Sequence, residues 1–172
     1  GGGLVGLELA HLAPGRVRRL VLAGPLYFDK ALQADLRARY APPIHPDRHG
    51  GHLLQAWHFI RDQGLFWPWY NATREGIIRT ANHVDPEMVH RRVLELFRAP
   101  DSWWRAYRAQ FAYPVRTRLR TVKVATLLAA ADWDPMRDYA IAASKALPHL
   151  PFRTLARDPG EWGREFMPFL DA

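Results

Sequence analysis

Three stretches of this chain carry residue types and spacings that could do chemistry. The first is Gly1-Gly2-Gly3, running straight into Leu4-Val5-Gly6-Leu7-Glu8-Leu9-Ala10-His11-Leu12-Ala13. Three glycines supply no capping side chain. What they offer is tight backbone and bare amides at the positive end of a helix, where negative charge is well held. The second is Asp132-Trp133-Asp134-Pro135, which follows an apolar run and places Asp134 as the cap of a helix, two residues before Met136. The third is the segment from His52 to Tyr70. There Trp57, His58 and Arg61 share one helical face, and Phe66, Trp67, Trp69 and Tyr70 crowd the turn that follows. Such a set could roof a pocket for an apolar small molecule with one anionic or carbonyl group. The same aromatics would equally serve as the core of a helical unit.

Other patterns point to less. His45-x3-His49-x2-His52 has ligand-like spacing, but it lies in a Pro/Gly-rich loop with only Asp47 beside it, so no metal is expected. Asn71-Ala72-Thr73 matches a glycosylation acceptor, which matters only in a secreted eukaryotic chain. The formal charge is +7, and Lys30, Lys123 and Lys145 are the only lysines, so arginine supplies it. The arginines are spread along the chain, among them Arg18-Arg19, Arg37, Arg39, Arg91-Arg92 and Arg116-Arg118-Arg120. Many alternate with apolar positions, the pattern of solvated faces rather than of a nucleic-acid surface.

The elements that must position these residues follow from periodicity. Of the 172 residues 48% are hydrophobic and 24% charged, enough apolar material to bury a core, and no cysteine is available for disulfides or thiolate chemistry. No apolar run reaches the ~18 residues of a membrane span, which predicts a soluble, cytoplasmic protein with no membrane partner. Leu4 to Ala13 reads as a helix apolar on nearly every side, the kind that packs on a sheet. Val17 to Gly24 and Val122 to Ala130 read as buried strands. A helix is predicted from about Pro135 to Leu147, a strand over Phe152 to Leu155, and a closing helix with Trp162, Phe166, Phe169 and Leu170 on one face. Strands alternating with helices predict an α/β protein with a mostly parallel sheet. The long middle segment, by contrast, has helical spacing throughout: Leu32 and Leu36; Leu54, Trp57 and Arg61; Val89, Val93, Leu96 and Phe97; Trp104, Tyr107 and Phe111. Prolines at 42–43, 46, 86 and 100 punctuate it as a helical insertion.

On these residues the chain resembles the α/β-hydrolase superfamily just after its nucleophile elbow. The matching motifs are Gly1 to Ala10, then Pro14-Gly15-Arg16-Val17-Arg18-Arg19-Leu20-Val21-Leu22, and then the strand ending in Asp132-Trp133-Asp134-Pro135. The resemblance implies that the nucleophile lies one residue upstream of Gly1 and that the Gly1 N–H is an oxyanion donor. It further implies that Asp134 is the acid orienting a catalytic histidine, with Asp132 as second choice, and that the insertion is the cap. The family's histidine follows the last strand, yet residues 156–162 contain none. His149 precedes that strand and reads as a surface turn residue, while His45, His49, His52, His58, His83 and His90 fall in the insertion, so no catalytic histidine is identified.

The expected fold is therefore a partial α/β-hydrolase: the last three parallel strands with flanking helices, plus a helical cap. Residues 1–25 and 121–172 form the core and 26–120 the cap. The expected parent is a hydrolase of a small apolar ester or amide that uses no cofactor, and this chain is a truncated, inactive portion of it. The alternative is a non-catalytic family member that binds small molecules. Candidate site residues are Asp134 and Gly1 for catalysis and Trp57, His58, Arg61, Trp67 and Trp69 for substrate. With only three strands, an open sheet edge is predicted along Val17 to Leu22.

Overall fold

The computed structural model describes residues 1–78 and 84–172, which fall into two units, residues 1–29 with 113–172 and residues 30–112. In chain order the elements are α1 (Gly2–Leu12), β1 (Arg19–Ala23), α2 (Lys30–Arg39), α3 (Gly51–Asp62), α4 (Pro86–Phe97), α5 (Trp103–Ala112), α6 (Val115–Thr121), β2 (Ala125–Ala131), α7 (Arg137–Ala146), β3 (Phe152–Leu155) and α8 (Trp162–Asp171). Among the described residues no helix is long and apolar enough to cross a membrane.

The first unit is a mixed α/β structure around an open sheet of order β1-β2-β3, parallel throughout. Parallel strands need crossover connections, and the helices α6 and α7 on them lie with α1 against one face, while α8, after the last strand, covers the other. That is why β2 can be a nearly unbroken run of small and aliphatic residues, buried from Thr126 to Ala131. Its one polar side chain is satisfied locally, the Thr126 hydroxyl donating to the Val124 carbonyl at 2.8 Å. Register places Leu22, Leu128 and Phe152 in one row across the sheet. That row belongs to a core with Leu7 and Ala10 of α1, Leu119 of α6, and Ala143 and Leu147 of α7. The alternate residues Val21, Ala129, Ala131 and Leu155 face Trp162 and Phe166 of α8. Trp162, Phe166, Phe169 and Leu170 are all half-buried, as their spacing predicts.

Helix α1 lies close on β1 because its sheet-facing positions are nearly bare. A Cβ on Gly6 would stand 3.1 Å from Leu20 Cδ1, and one on Gly3 would stand 3.5 Å from Leu22 Cδ2. Further along, Glu8 accepts from the Tyr113 hydroxyl at 2.6 Å and from Arg118 Nη2 at 3.0 Å, which ties α1 to α6. Contrary to its all-round apolar sequence, only one face of α1 is covered. Leu7 and Ala10 are buried, while Val5 and Leu12 are more than two-thirds exposed. Two strand starts also differ from the apolar runs. Val17 ends a 3₁₀ turn and Val122 caps α6, so β1 begins at Arg19 and β2 at Ala125. The expected open edge is present: β1 pairs with β2 on one side and with no other strand among the described residues.

The second unit is helical. Its core is aromatic and centred on Tyr40, whose ring lies 5.0 Å from Phe111, 5.3 Å from Tyr107, 5.9 Å from Trp67 and 6.4 Å from Phe59. Burial pushes the Tyr40 hydroxyl above the ordinary phenol range. On α4 the inward residues are Val89, Val93 and Leu96, as the spacing predicts. On α3 they are Ala56 and Phe59 instead of the Leu54-Trp57-Arg61 stripe, and Leu54 is exposed. The phase differs because the Phe59 ring fills the space between Trp69 at 5.3 Å and Trp103 at 5.0 Å.

Leu128 is fully buried in the central strand. Leu128→Ala is expected to cost about 2–5 kcal/mol, since it removes packing and leaves a cavity between the sheet and the helices over it. Leu94→Ala on the exposed side of α4 should stay within about 0.5 kcal/mol. Urea denaturation of the two variants checks both.

Candidate functional site

The α/β unit gathers its candidate chemistry at the carboxyl end of the sheet. In a parallel sheet every strand ends at the same edge, and the loops leaving it are free to carry polar groups. Strand β1 is followed by Gly24, at φ 63°. The Gly24 N–H still donates to the Ala129 carbonyl at 2.8 Å, so its backbone is held in the ladder while the chain turns away. Strand β2 ends in the turn that carries Asp134. The two turns meet: a Cβ on Gly24 would fall 3.0 Å from Asp134 Oδ2 and 3.5 Å from Met136 Cβ. Both the left-handed backbone and the carboxylate at its side require glycine here.

Asp134 Oδ1 accepts from the Met136 N–H at 2.8 Å, but Asp134 is not the helix cap its spacing predicts, because α7 starts later and takes Met136 as its N-cap. Oδ2 is the oxygen turned toward Gly24. The residue is half-buried, and burial pushes its carboxyl above the ordinary aspartate value, opposed by the Met136 hydrogen bond. A carboxylate short of water, with one oxygen uncommitted to the Met136 N–H, is chemically able to accept from an imidazole N–H. Gly1 caps α1 without a side-chain bond, its carbonyl accepting from the Leu4 N–H at 3.0 Å. Because Gly3 lies over Leu22, near the end of β1, α1 begins at the same end of the sheet as Asp134.

The stretch after β3 is organised by tryptophan. Trp162 Nε1 donates to the Ala156 carbonyl at 2.8 Å, and Trp133 Nε1 donates to the Arg157 carbonyl at 3.0 Å. The two indoles stack at 6.3 Å and 20°. Glu165 accepts from the Ala156 N–H through both carboxylate oxygens, at 3.0 and 3.1 Å. This clasp between the turns after β2 and β3 escaped the sequence reading. Both tryptophans were visible there, but nothing local says that residues 29 positions apart stack. The histidines of this unit stand at the other end. His149 is exposed in the turn before β3, and His11 closes α1 with its Nε2 at 2.9 Å from the Arg118 carbonyl oxygen.

In the helical unit the five candidate substrate residues separate. Trp69 is built into the aromatic core, its Nε1 donating to the Tyr40 carbonyl at 2.7 Å, and Trp67 packs against Tyr40. Trp57 is half-buried and His58 exposed on α3, and Arg61 Nε binds Asp62 Oδ1 at 2.7 Å. Asp47, flanked by the loop histidines, accepts from the backbone N–H groups of His52 at 2.6 Å and His49 at 2.8 Å, and these with Gly51 hold its carboxyl down at about 2. It is thus a cap for the start of α3. Among the described residues no group of three or more acidic or histidine side chains could hold a metal ion. His83 lies outside the described residues. A different feature appears instead: a groove of about 800 Å³ between α2 and α5, lined by Lys30, Arg37 and Arg108 above a floor of alanines.

No known protein family, curated protein or solved structure matches this chain.

Two outcomes follow from the Gly24–Asp134 contact. Gly24→Ala forces a side chain into left-handed backbone, at about 1–2 kcal/mol, and crowds Asp134. The loss measured by urea denaturation should shrink when Asp134 is also alanine. The second concerns pH. The folded state holds the Asp134 proton to higher pH than the unfolded chain, so this group's contribution is complete below 3.8 and declines as pH rises through the raised value. Asp134→Asn should remove that decline from a plot of unfolding midpoint against pH.

Proposed function

We propose that this chain is part of an α/β-hydrolase-like protein, with residues 30–112 as its helical insertion, and that its parent cleaves a small apolar ester or amide. In this reading the residue before Gly1 supplies the nucleophile, which attacks the carbonyl carbon. The Gly1 N–H, at the positive end of α1, holds the oxyanion of the tetrahedral intermediate. Asp134 orients the base that takes the nucleophile's proton and returns it to the departing alcohol or amine. The observation that carries the reading is the placement of a half-buried carboxylate and a glycine-opened helix at the same end of one parallel sheet. The order of sequence motifs supports it independently.

A second reading, a family member that binds small molecules without turning them over, draws on a specific observation. The stretch where a histidine is required carries the Trp133–Trp162 stack, and both histidines of the α/β unit lie at the opposite end of the sheet.

The test is hydrolysis of a short activated ester by the polypeptide extended upstream of Gly1. Turnover that falls about 10²–10⁴-fold in Asp134→Asn supports the hydrolase reading, because loss of the orienting acid misplaces the base. Turnover indifferent to Asp134 overturns its assigned role, and saturable binding without turnover supports the second reading. The 172 residues alone are expected to show no turnover. Activity of this chain that Asp134→Ala abolishes would refute that expectation.

A further inference from the structure

The groove between α2 and α5 lies wholly within the helical unit and is independent of the hydrolase reading. Gln33 Nε2 on α2 donates to the Phe111 carbonyl of α5 at 2.9 Å, while the Tyr40 ring, beyond the other end of α2, lies 5.3 Å from Tyr107. The two helices therefore run antiparallel, and Arg108 stands on the Arg37 side of Phe111. Lys30 lies seven residues before Arg37 on α2, about 10 Å along the helix at ~1.5 Å per residue. Between these cationic ends the floor is Ala34, Ala38, Ala109 and Ala112, with Phe111 beneath.

The charge of this groove has one sign. No acidic residue lines it, and Lys30, Arg37 and Arg108 form no ion pair with a carboxylate among the described residues. The acid of α2, Asp35, is committed elsewhere: it accepts from the Tyr70 hydroxyl at 2.5 Å and from Arg39 at 3.1 Å. The Arg108 guanidinium rests 4.6 Å from the centre of the Trp104 ring, a stacking contact that limits its rotamers before any ligand arrives. Two arginines far apart in the chain, Arg37 and Arg108, thus line one concave surface with Lys30.

We propose that this groove binds a linear small molecule with an apolar middle and an anionic group at each end. One anion is clasped by Arg37 and Arg108, whose planar guanidinium groups match the oxygens of a carboxylate or phosphate. The other meets the Lys30 ammonium, and the chain between them covers the alanine floor. Alanine is the residue this role requires, because a larger side chain would close the groove.

Decanedioate, a ten-carbon diacid, is a suitable probe, with decanoate and inorganic phosphate as partial mimics. Calorimetric titration of the 172-residue chain at low ionic strength is expected to show decanedioate binding several-fold more tightly than either. Arg37→Gln, Arg108→Gln and Lys30→Gln should each weaken it about fivefold, in line with loss of one charge-assisted contact. Ala38→Trp should abolish binding by filling the groove. All four positions are at the surface of the helical unit, so folding is preserved and circular dichroism verifies it. Arg91→Gln on α4, away from the groove, should leave affinity unchanged. Three results would each overturn the proposal: no heat with decanedioate, equal affinity for decanoate, or affinity untouched by the arginine substitutions. Preferential capture of a single-stranded oligonucleotide or of polyglutamate would overturn it as well, and would identify a macromolecular docking surface instead.

Discussion

The parallel pairing of β2 with strands on both sides is the constraint from which the rest of the α/β unit follows. A central parallel strand has both backbone edges committed to neighbours, and here both of its faces are covered by helices. Its side chains must then be apolar and, where helices approach closely, small. The run Leu127-Leu128-Ala129-Ala130-Ala131 meets both demands. The same pairing sends β1, β2 and β3 to a common end. The turns holding Gly24, Asp134 and Ala156 are neighbours for that reason, although the first two are separated by the whole helical insertion.

Within that edge, backbone conformation and electrostatics are coupled. Gly24 turns left-handed beside the Asp134 carboxylate, and Asp134 accepts from the Met136 N–H with one oxygen while burial destabilises its charge. The Trp133–Trp162 stack closes the neighbouring side and holds both indole N–H groups in hydrogen bonds to the loop after β3. The edge is thus partly polar and partly sealed by aromatic surface.

The helical unit solves a different packing problem. Tyr40 serves as the hub of rings contributed by α3, α5 and the loop after α3, so the tryptophans that looked like a pocket wall are largely consumed in building the unit. Consuming aromatics internally leaves the outer groove between α2 and α5 to alanines and cations. Side chains too short to fill a helix–helix furrow leave it open, and among the described residues no acidic side chain lines it.

Periodicity and punctuation determined the local elements by themselves. The strand over Phe152–Leu155, the inward face of α4 at Val89, Val93 and Leu96, the one-sided closing helix and the alternation behind a parallel sheet are all consequences of which residues repeat at two or at 3.6. The hydrogen bond from the Met136 N–H to Asp134 was legible for the same reason, since its partners lie two residues apart, although the helix itself starts later than its sequence predicts. Only the tertiary structure decided matters that depend on residues far apart in the chain. These are the phase of α3, set by the ring of Phe59 between Trp69 and Trp103; the exposure of one side of α1; the stacking of Trp133 on Trp162; and the meeting of Lys30 and Arg37 with Arg108. Burial is a property of what packs opposite a residue, and no repeat within a single helix records what that neighbour is.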